Sequence, residues 1–355
     1  MVTQKGKKKI KKRFSGRTWK WGLFCILSAC LAVAIFFGYR LFGPNTRPFH
    51  DHKFFYIHTG SSYGQVIEAL KTQGIVKNIR SLEWVAERLH YPEHVHAGKY
   101  KITPGMNNLA LIRLLRSGKQ TPVKVVLNKL RTKSDLAGFI SQKLEPDSLT
   151  LMALLQDNTY LRQYGLDTNT AMCAIIPNTY EFFWNTSAED FFARMIKEKD
   201  RFWTDKREEK ASAIGLTPQQ VYIMASIVEE ETNKRTDKPL IASVYLNRLR
   251  TGMRLAADPT ARFAAGDFTL RRITGKQTMI ASPYNTYRQP GLPPGPICTP
   301  SIQTIDAVLS APQTDYFYFC AKADFSGYNV YATSYREHLR NARAYQRALD
   351  SLHIN

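Results

Sequence analysis

The order of apolar and polar positions divides the chain into segments of different kinds. Residues 21–39 form an apolar run without a single charged side chain. A run of about 20 such residues crosses the hydrocarbon core of a bilayer as a helix, and a spanning segment must satisfy its backbone hydrogen bonds internally. The pattern predicts one N-terminal transmembrane helix at residues 21–42 and a short linker at residues 43–52.

Residues 53–120 alternate between strand and helix patterns. Apolar strands are predicted at residues 53–58 and 98–102. Three amphipathic helices are predicted: one directly after the first strand, one at residues 79–89 and one at residues 109–116. Elements of this length and order predict a compact α+β module. Residues 121–166, with a strand near residues 123–127, are predicted to be a mixed connecting region.

Residues 167–355 are predicted to form a larger α+β domain. Thr217 opens a capping box with proline at the first helical position, and the apolar helix that follows ends in three consecutive glutamates, Glu229, Glu230 and Glu231. A second helix is predicted at residues 237–249. Residues 252–299 are rich in turn sequences, and so long an irregular stretch favours a binding surface. A helix from residue 302, strands at residues 316–321 and 328–332, and a final helix complete the domain.

The N-terminal tail predicts the topology of the chain in the membrane. Nine of the first 20 residues are Lys or Arg and none is acidic. Because positively charged flanks stay in the cytoplasm, residues 1–20 are predicted to be a cytoplasmic tail, and everything after Arg40 lies outside the cytoplasm. The aromatic end of the apolar run favours a retained anchor over a cleaved signal peptide.

Composition excludes several other classes of function. The formal net charge is +21, of which the tail supplies nine, and no nucleic-acid-reading motif accompanies this charge. A basic outer region suits a negatively charged substrate or membrane surface. The five cysteines lack the spacing of a metal site or a disulfide framework, so neither a metal nor another cofactor is predicted.

Glu229 is the candidate for acid–base chemistry. It follows the apolar stripe of its helix, at the end where exposed carbonyls disfavour an anion. Two neighbouring glutamates and partial burial also disfavour ionisation. We therefore expect a raised pKa at Glu229, as a general acid near neutral pH requires. A solvated acidic helix end is the alternative, since structural carboxylates also shift.

The surroundings of Glu229 resemble one enzyme family. The resemblance is carried by the motifs Ala225-Ser226-Ile227-Val228-Glu229-x-Glu231-Thr232, Ala242-Ser243-Val244-Tyr245-Leu246-Asn247-Arg248-Leu249, Asp258-Pro259-Thr260, Tyr284-Asn285-Thr286-Tyr287 and Gly291-Leu292-Pro293-Pro294-Gly295-Pro296. In this order and over this span they resemble the endolytic murein transglycosylases (YceG-like family). The likeness extends over nearly the whole chain after the anchor.

The resemblance implies non-hydrolytic cleavage between N-acetylmuramic acid and N-acetylglucosamine, with Glu229 as acid and then base and the muramyl 6-hydroxyl as nucleophile. It implies that the module at residues 53–120 is LysM-like, and that the enzyme acts on nascent strands beside peptidoglycan synthases at the bacterial inner membrane, with a periplasmic catalytic domain. Glu231 either tunes the pKa of Glu229 or binds sugar. The other candidate substrate-binding residues are Asn247, Arg248, Asp258, Thr260, Tyr284, Asn285, Thr286 and Tyr287.

One position departs from the family pattern and two other functions remain open. Asn178 stands where the family usually has Asp, so this position is not expected to be catalytic. A lysozyme-like muramidase would need a second carboxylate across the scissile bond, for which Asp258 is the candidate. A non-catalytic peptidoglycan-binding scaffold is the third interpretation.

Overall fold

The structure, a computed structural model, describes residues 16–270 and 272–351, and the side chains of residues 16–18 are outside that description. Most of the predicted basic tail therefore lies outside the described residues. Helix α1 (Gly16–Phe42) contains one stretch, Trp19–Phe42, that is long and apolar enough to cross a membrane. The most apolar part of this stretch is not buried against the rest of the protein. The helix is therefore compatible with a single-pass anchor.

The chain divides into two compact units, residues 1–121 and 122–355. In the first unit, β1 (Lys53–Ile57) pairs antiparallel with β2 (Gly98–Ile102). Helices α2 (Tyr63–Thr72), α3 (Ile79–Arg88) and α4 (Asn108–Arg116) complete it. Their apolar faces share one core with Phe55 and Tyr100, a cross-strand pair that is fully buried. The strands and helices predicted from the sequence of this module lie within a few residues of the observed ones.

The segment predicted as a linker is a packed part of the first unit. Asn45 and Thr46 are only 6% and 1% exposed. The Asn45 carboxamide accepts from the backbone N–H of Asn78 at 2.8 Å and donates to the Asn108 side chain at 2.5 Å. Because such polar groups are buried only when they are hydrogen-bonded, these contacts hold the segment against α3 and α4.

The second unit includes the residues predicted to be a connecting region. Strand β3 (Val123–Val126) pairs antiparallel with β4 (Thr179–Phe182), and β5 (Tyr318–Ala321) pairs antiparallel with β6 (Asn329–Ala332). Eleven apolar side chains between residues 123 and 166 belong to the core of this unit. Its helices are α5 (Lys133–Ser141), α6 (Ser148–Leu154), α7 (Asn158–Arg162), α8 (Ala188–Phe202), α9 (Asp205–Ala213), α10 (Pro218–Glu231), α11 (Asp237–Arg250), α12 (Asp258–Ala265), α13 (Gly275–Thr278), α14 (Ile302–Leu309) and α15 (Tyr335–Ser351).

Helix α10 is the central helix of the second unit. Thr217 caps it through a reciprocal pair of hydrogen bonds with Gln220. All residues from Val221 to Val228 are buried, because α9, α11, α12 and α14 surround the helix. A helix that is apolar on every side belongs in a core. Its polar last turn therefore emerges from that core and carries Glu229 to the surface.

The stretch from residue 252 to residue 299 is less irregular than its sequence suggests. Asp258 and Pro259 form the first turn of α12, and α13 follows at Gly275–Thr278. Proline is well tolerated at this position because the first helical N–H groups have no partner within the helix. The prediction of a single irregular segment is therefore wrong over these residues.

Candidate active site

The three glutamates at the end of α10 have different partners. Successive helical residues are rotated by about 100°, so Glu229, Glu230 and Glu231 point in different directions. Glu230 forms ion pairs with Lys129 at 2.8 Å and Arg131 at 3.2 Å. Burial opposes the ionisation of Glu230, but these two cations outweigh it and lower its pKa. Through these ion pairs, Glu230 attaches the segment that follows β3 to the end of α10.

Glu229 Oε2 accepts three hydrogen bonds from two neighbouring helices. Lys238 Nζ, in the first turn of α11, donates at 3.0 Å. Ser301 Oγ, the N-cap of α14, donates at 2.9 Å, and Thr304 Oγ1 also donates. Lys238 is 6% exposed and also donates to Thr304 Oγ1 at 2.6 Å. The carboxylate therefore lies beside a buried cation and at the positive N-terminal end of α14.

The expectation of a raised pKa at Glu229 is wrong. Burial does oppose ionisation, but the hydrogen bonds from Thr304, Lys238 and Ser301 and the charge of Lys238 outweigh it and lower the pKa of Glu229. The like charges of Glu230 and Glu231 do not reverse this, because both side chains turn toward partners of their own. Glu229 is therefore held as a carboxylate, the form that a general base needs.

A cleft of about 310 Å³ opens beside Glu229. One wall is the paired end of β3 and start of β4, where Leu127 donates a backbone bond to Asn178 at 2.9 Å. The other wall is the end of α10 and the approach to α14. Its volume lies at the low end of the ~300–1,000 Å³ typical of ligand pockets. The polar side chains that line it are Asn128, Lys129, Asn178, Thr179, Glu229, Thr299 and Ser301.

Glu229 is the only carboxylate among the ten residues that line this cleft. Asn178, which the sequence marked as a departure from the family pattern, lies on the wall that faces it, and its side chain is exposed. A larger concavity of about 720 Å³, near Leu166 and Gly291, contains none of the residues predicted to act in catalysis or binding. The cleft that contains Glu229 is therefore the candidate active site.

Glu231 lies in a second, separate group of polar residues. Its Oε1 accepts from Tyr245 Oη at 2.5 Å. Burial, reinforced by the charge of Asp258, raises the pKa of Glu231 to about 7, although Tyr245 and the nearby arginines oppose this. The shifted carboxyl that we expected at Glu229 is thus found two positions further along α10.

Replacing Glu231 with glutamine is expected to stabilise the protein increasingly as pH rises. The folded-state pKa of about 7 lies above the ordinary value of 4.5. The folded state then binds more protons between these values, so wild-type stability is full below the lower value and is lost as pH rises through the upper one. The difference is at most on the order of 3 kcal/mol. Thermal unfolding at about pH 5 and about pH 8 checks this.

The matched control for this experiment is Glu230→Gln. Since the pKa of Glu230 is lowered by its ion pairs, its contribution to stability is present at neutral pH and is lost on acidification. The two variants should therefore depend on pH in opposite senses. An equal change in melting temperature at both pH values for Glu231→Gln would contradict the raised pKa.

Three of the predicted substrate-binding residues are buried and bonded to the backbone. The Asn247 carboxamide donates to the carbonyls of residues 314 and 316 at 2.7 and 2.9 Å. The Arg248 guanidinium donates to the carbonyls of residues 317 and 255 at 2.7 and 2.5 Å. Asn285 is fully buried and donates to the carbonyls of residues 278 and 280 at 3.0 and 2.8 Å. These side chains satisfy carbonyl groups that no helix or strand would satisfy, which is a supporting role.

The remaining predicted residues lie on α12 and in the segment of residues 284–287. Thr260 and Thr286 are fully buried and their hydroxyls lie 2.7 Å apart. Tyr287 Oη donates to Asp258 Oδ1 at 2.5 Å, and the Tyr284 ring packs on Phe263 at 4.8 Å between centroids. Of the predicted residues, Arg248, Asp258 and Tyr287 lie close enough to Glu231 to interact with it electrostatically. None of the predicted substrate-binding residues lines the Glu229 cleft.

Several residues of the site were missed by sequence reasoning. Lys238, Ser301 and Thr304 contact the Glu229 carboxylate, and Lys129 lines its cleft. Only Ser301 carried a local signal, since serine is a preferred helix cap. Within residues 16–270 and 272–351, no group of three or more His, Cys, Asp or Glu side chains is arranged to hold a metal ion.

Comparison with known sequences now places the chain among its relatives. The sequence model of the YceG-like family matches residues 55–344, most of the chain and the whole of the site described above. The chain belongs to the YceG-like family. The endolytic murein transglycosylase of Bacillus subtilis (strain 168) is 30% identical over 306 residues, which cover 81% of this chain and 83% of that protein.

Other relatives extend this likeness to a longer protein and to a solved structure. The endolytic murein transglycosylase of Streptococcus pneumoniae serotype 2 (strain D39) is 26% identical, and the match covers 90% of this chain but only 63% of that protein. The crystal structure of a YceG-like protein from Listeria monocytogenes matches with a TM-score of 0.55 and 26% identity, over 81% of this chain and 98% of that chain. The YceG-like fold is therefore shared over most of this sequence.

Proposed function

We propose that this YceG-like chain is an endolytic peptidoglycan transglycosylase with Glu229 as its catalytic acid and base. The observation that carries the proposal is that Glu229 is the only carboxylate lining its cleft. Hydrolytic glycosidases ordinarily use a pair of carboxylates that flank the scissile bond. A lytic transglycosylase needs only one, because a hydroxyl of the sugar replaces the attacking water. The relatives named endolytic murein transglycosylase support the same reaction.

The proposed reaction moves one proton out of Glu229 and one back. In its protonated form, Glu229 donates a proton to the glycosidic oxygen between N-acetylmuramic acid and N-acetylglucosamine as the bond to the anomeric carbon breaks. The 6-hydroxyl of the same muramyl residue then attacks the anomeric carbon, and its proton passes to the Glu229 carboxylate. The products are a 1,6-anhydro end and a free 4-hydroxyl, and no water is consumed.

The lowered pKa of Glu229 supports the second half of this cycle more than the first. Lys238, Ser301 and Thr304 stabilise the carboxylate that accepts the proton of the 6-hydroxyl. The acid form is the minor form at neutral pH, and entry of a sugar into the cleft excludes water and opposes ionisation. We infer that substrate binding raises the fraction of protonated Glu229.

A muramidase is the less favoured alternative. Asp258, the candidate for its second carboxylate, accepts a hydrogen bond from Tyr287 and lies in the group around Glu231. It is not among the residues that line the Glu229 cleft. A non-catalytic scaffold would have no need of a carboxylate tuned by a buried lysine, since burying such an ion pair seldom adds stability.

We propose that α1 spans the bacterial inner membrane once, with the basic tail in the cytoplasm and the chain after α1 in the periplasm. The exposed apolar surface of residues 19–42 and the charge of the tail support this orientation. We further propose that the first unit is a LysM-like module and that the enzyme cuts nascent strands beside peptidoglycan synthases. The small sheet packed against short helices in the first unit is consistent with such a module.

Mass spectrometry of the cleavage products tests the proposed reaction. The full-length protein in detergent is incubated with uncrosslinked glycan strands, and the masses of the new ends are measured. Products that lack one water, as 1,6-anhydro ends do, are expected. Reducing ends would instead establish a muramidase. Intact strands, together with co-sedimentation of protein and glycan, would establish the scaffold.

A further inference from the structure

Helix α3 presents a basic and aromatic stripe on one side. Arg80, Trp84 and Arg88 are spaced by four residues, so they lie on the same face of the helix. Arg80 and Arg88 are exposed, and Trp84 is partly exposed. Glu83 and Glu87 lie beside this stripe, three positions after Arg80 and Trp84, and Glu87 is exposed. The charges of both glutamates also act on Tyr63 of α2, where they add to the effect of burial in raising the pKa of Tyr63 to about 12.

This stripe lies against the C-terminal part of α1. The rings of Phe37 and Trp84 are 5.6 Å apart, and the Arg88 guanidinium lies 4.4 Å from the Trp84 ring. On α1 itself, the Arg40 guanidinium lies 4.8 Å from the Phe36 ring. Aromatic rings with arginines beside them are typical of the interface between hydrocarbon and headgroups, where the ring stays in apolar surroundings and the cation meets phosphate.

The length of α1 places this contact at that interface. Trp21, an aromatic residue at the cytoplasmic end of the apolar run, and Arg40 are 19 positions apart in one continuous helix. At 1.5 Å per residue they are separated by about 28 Å, close to the ~30 Å thickness of the hydrocarbon core. If Trp21 lies at one boundary, Phe37 lies just inside the other and Arg40 lies among the headgroups. The Trp84 ring, 5.6 Å from the Phe37 ring, then lies near the boundary between the hydrocarbon and the headgroups.

The attachment of α1 to the first unit fixes this depth. The Asn108 carboxamide donates to the Arg40 carbonyl at 2.8 Å and to Ser81 Oγ at 3.0 Å, so it joins the end of α1 to both α3 and α4. Leu41 packs against the core of the unit. Asn108 is 1% exposed, and breaking a buried hydrogen bond is costly. The stripe therefore cannot move away from the membrane while α1 stays in it.

We propose that the first unit rests on the outer surface of the bilayer, with Trp84 at the level of the lipid carbonyls and Arg80 and Arg88 bound to the phosphates of anionic phospholipids. The inference rests on the proposed membrane span of α1. It adds a second lipid contact, made by a part of the chain that is not the anchor. The unit is then held in one orientation on the membrane by an aromatic residue and a basic stripe.

Fluorescence quenching of single tryptophans tests the proposal. The chain has five tryptophans, and full-length variants that keep only Trp84, only Trp21 or only Trp203 are reconstituted in vesicles that contain brominated phospholipids, with the other tryptophans changed to phenylalanine. Emission from Trp84 is expected to fall when the bromine is near the carbonyl end of the acyl chain, and to fall less when it is near the chain terminus. Trp203, which packs on the core of the second unit, supplies the reference for a tryptophan shielded by protein.

The three variants separate failure of this proposal from failure of the anchor. Quenching of Trp21 with Trp84 behaving like Trp203 would overturn the lipid contact and leave the span in place. Absence of quenching at Trp21 would overturn the span, and the lipid contact with it. Circular dichroism spectra matching that of the wild type establish that each variant has folded.

Photocrosslinking of the unaltered protein supplies an independent measurement. The wild-type chain is placed in vesicles with an anionic phospholipid that carries a photoreactive group near its headgroup, and adducts are located by mass spectrometry. Adducts are expected on the tryptic peptide of residues 81–88 as well as on α1. The double variant Arg80→Gln with Arg88→Gln is expected to lose the adducts on α3 and keep those on α1. Adducts confined to α1 in the wild type would overturn the proposal.

Discussion

Glu229→Gln is expected to lower the rate of glycan cleavage by about 10²–10⁴-fold, the contribution usual for a positioned general acid or base. Glutamine keeps the shape of the side chain and can still accept from Ser301 and Lys238, which contact Glu229 Oε2 at 2.9 and 3.0 Å. It can neither donate a proton to the glycosidic oxygen nor take one from the 6-hydroxyl. The measurement is the initial rate of appearance of new glycan ends with uncrosslinked strands.

Two neighbouring variants make this experiment decisive. Glu230→Gln removes an equal charge from the same helix, but its partners are Lys129 and Arg131. Glu231→Gln removes the carboxyl whose pKa is raised to about 7, which is by that criterion the better general acid. Both are expected to remain far more active than Glu229→Gln, because neither side chain lines the Glu229 cleft. Full activity of Glu229→Gln with loss of activity in Glu231→Gln would transfer the catalytic role to Glu231.

Lys238→Met is expected to change the pH dependence of the reaction as well as the stability of the protein. The substitution leaves the Glu229 carboxylate without the buried cation that helps to lower its pKa. The pKa of Glu229 should therefore rise. Because the acid form starts the proposed reaction, wild-type kcat/KM should increase as pH falls below neutrality. In the variant, kcat/KM should level off at a higher pH as the pH falls.

The loss of stability caused by Lys238→Met should be largest at neutral pH and smaller in acid. Breaking a buried ion pair costs about 3–5 kcal/mol, and the Glu229 side chain is 16% exposed, so we expect the lower end of this range at neutral pH. The loss should diminish in acid, where Glu229 of the variant is protonated. Lys238→Arg, which keeps the charge, is the matched control and should keep the wild-type pH profile. A Lys238→Met profile of reduced height and unchanged midpoint would limit Lys238 to a structural role.

Much of the architecture could be predicted from local sequence. The capping box at Thr217 and the uniformly apolar helix after it gave α10 correctly, because both signals lie within the helix itself. The first turn of α12 was interpreted as part of a loop because Asp258 and Pro259 are equally common in turns. Only the packing of α12 against α10 shows that these residues form a helix and not a turn.

The electrostatics of the site could not be predicted in the same way. Ser301 and Thr304 are 72 and 75 residues from Glu229 along the chain, and Lys238 lies in the first turn of a different helix, α11. No local pattern indicates that these groups meet at one carboxylate. The direction of the pKa shift was therefore predicted only from the helix end, the two adjacent glutamates and partial burial. The same limit applies to Asn247 and Arg248, whose side chains suit sugars but bond to distant carbonyls.

The buried segment at Asn45 and Thr46 has a mechanical consequence. A flexible linker after a membrane helix acts as a swivel, which lets the helix spin about its axis without turning the domain attached to it. Here the backbone of Thr46 pairs with Val76 in an isolated β-bridge, and Pro44 pairs with Asn107 in the same way. The helix therefore cannot rotate independently of the first unit. Torque applied to α1, for example by a protein that grips it within the bilayer, would be transmitted to the whole first unit.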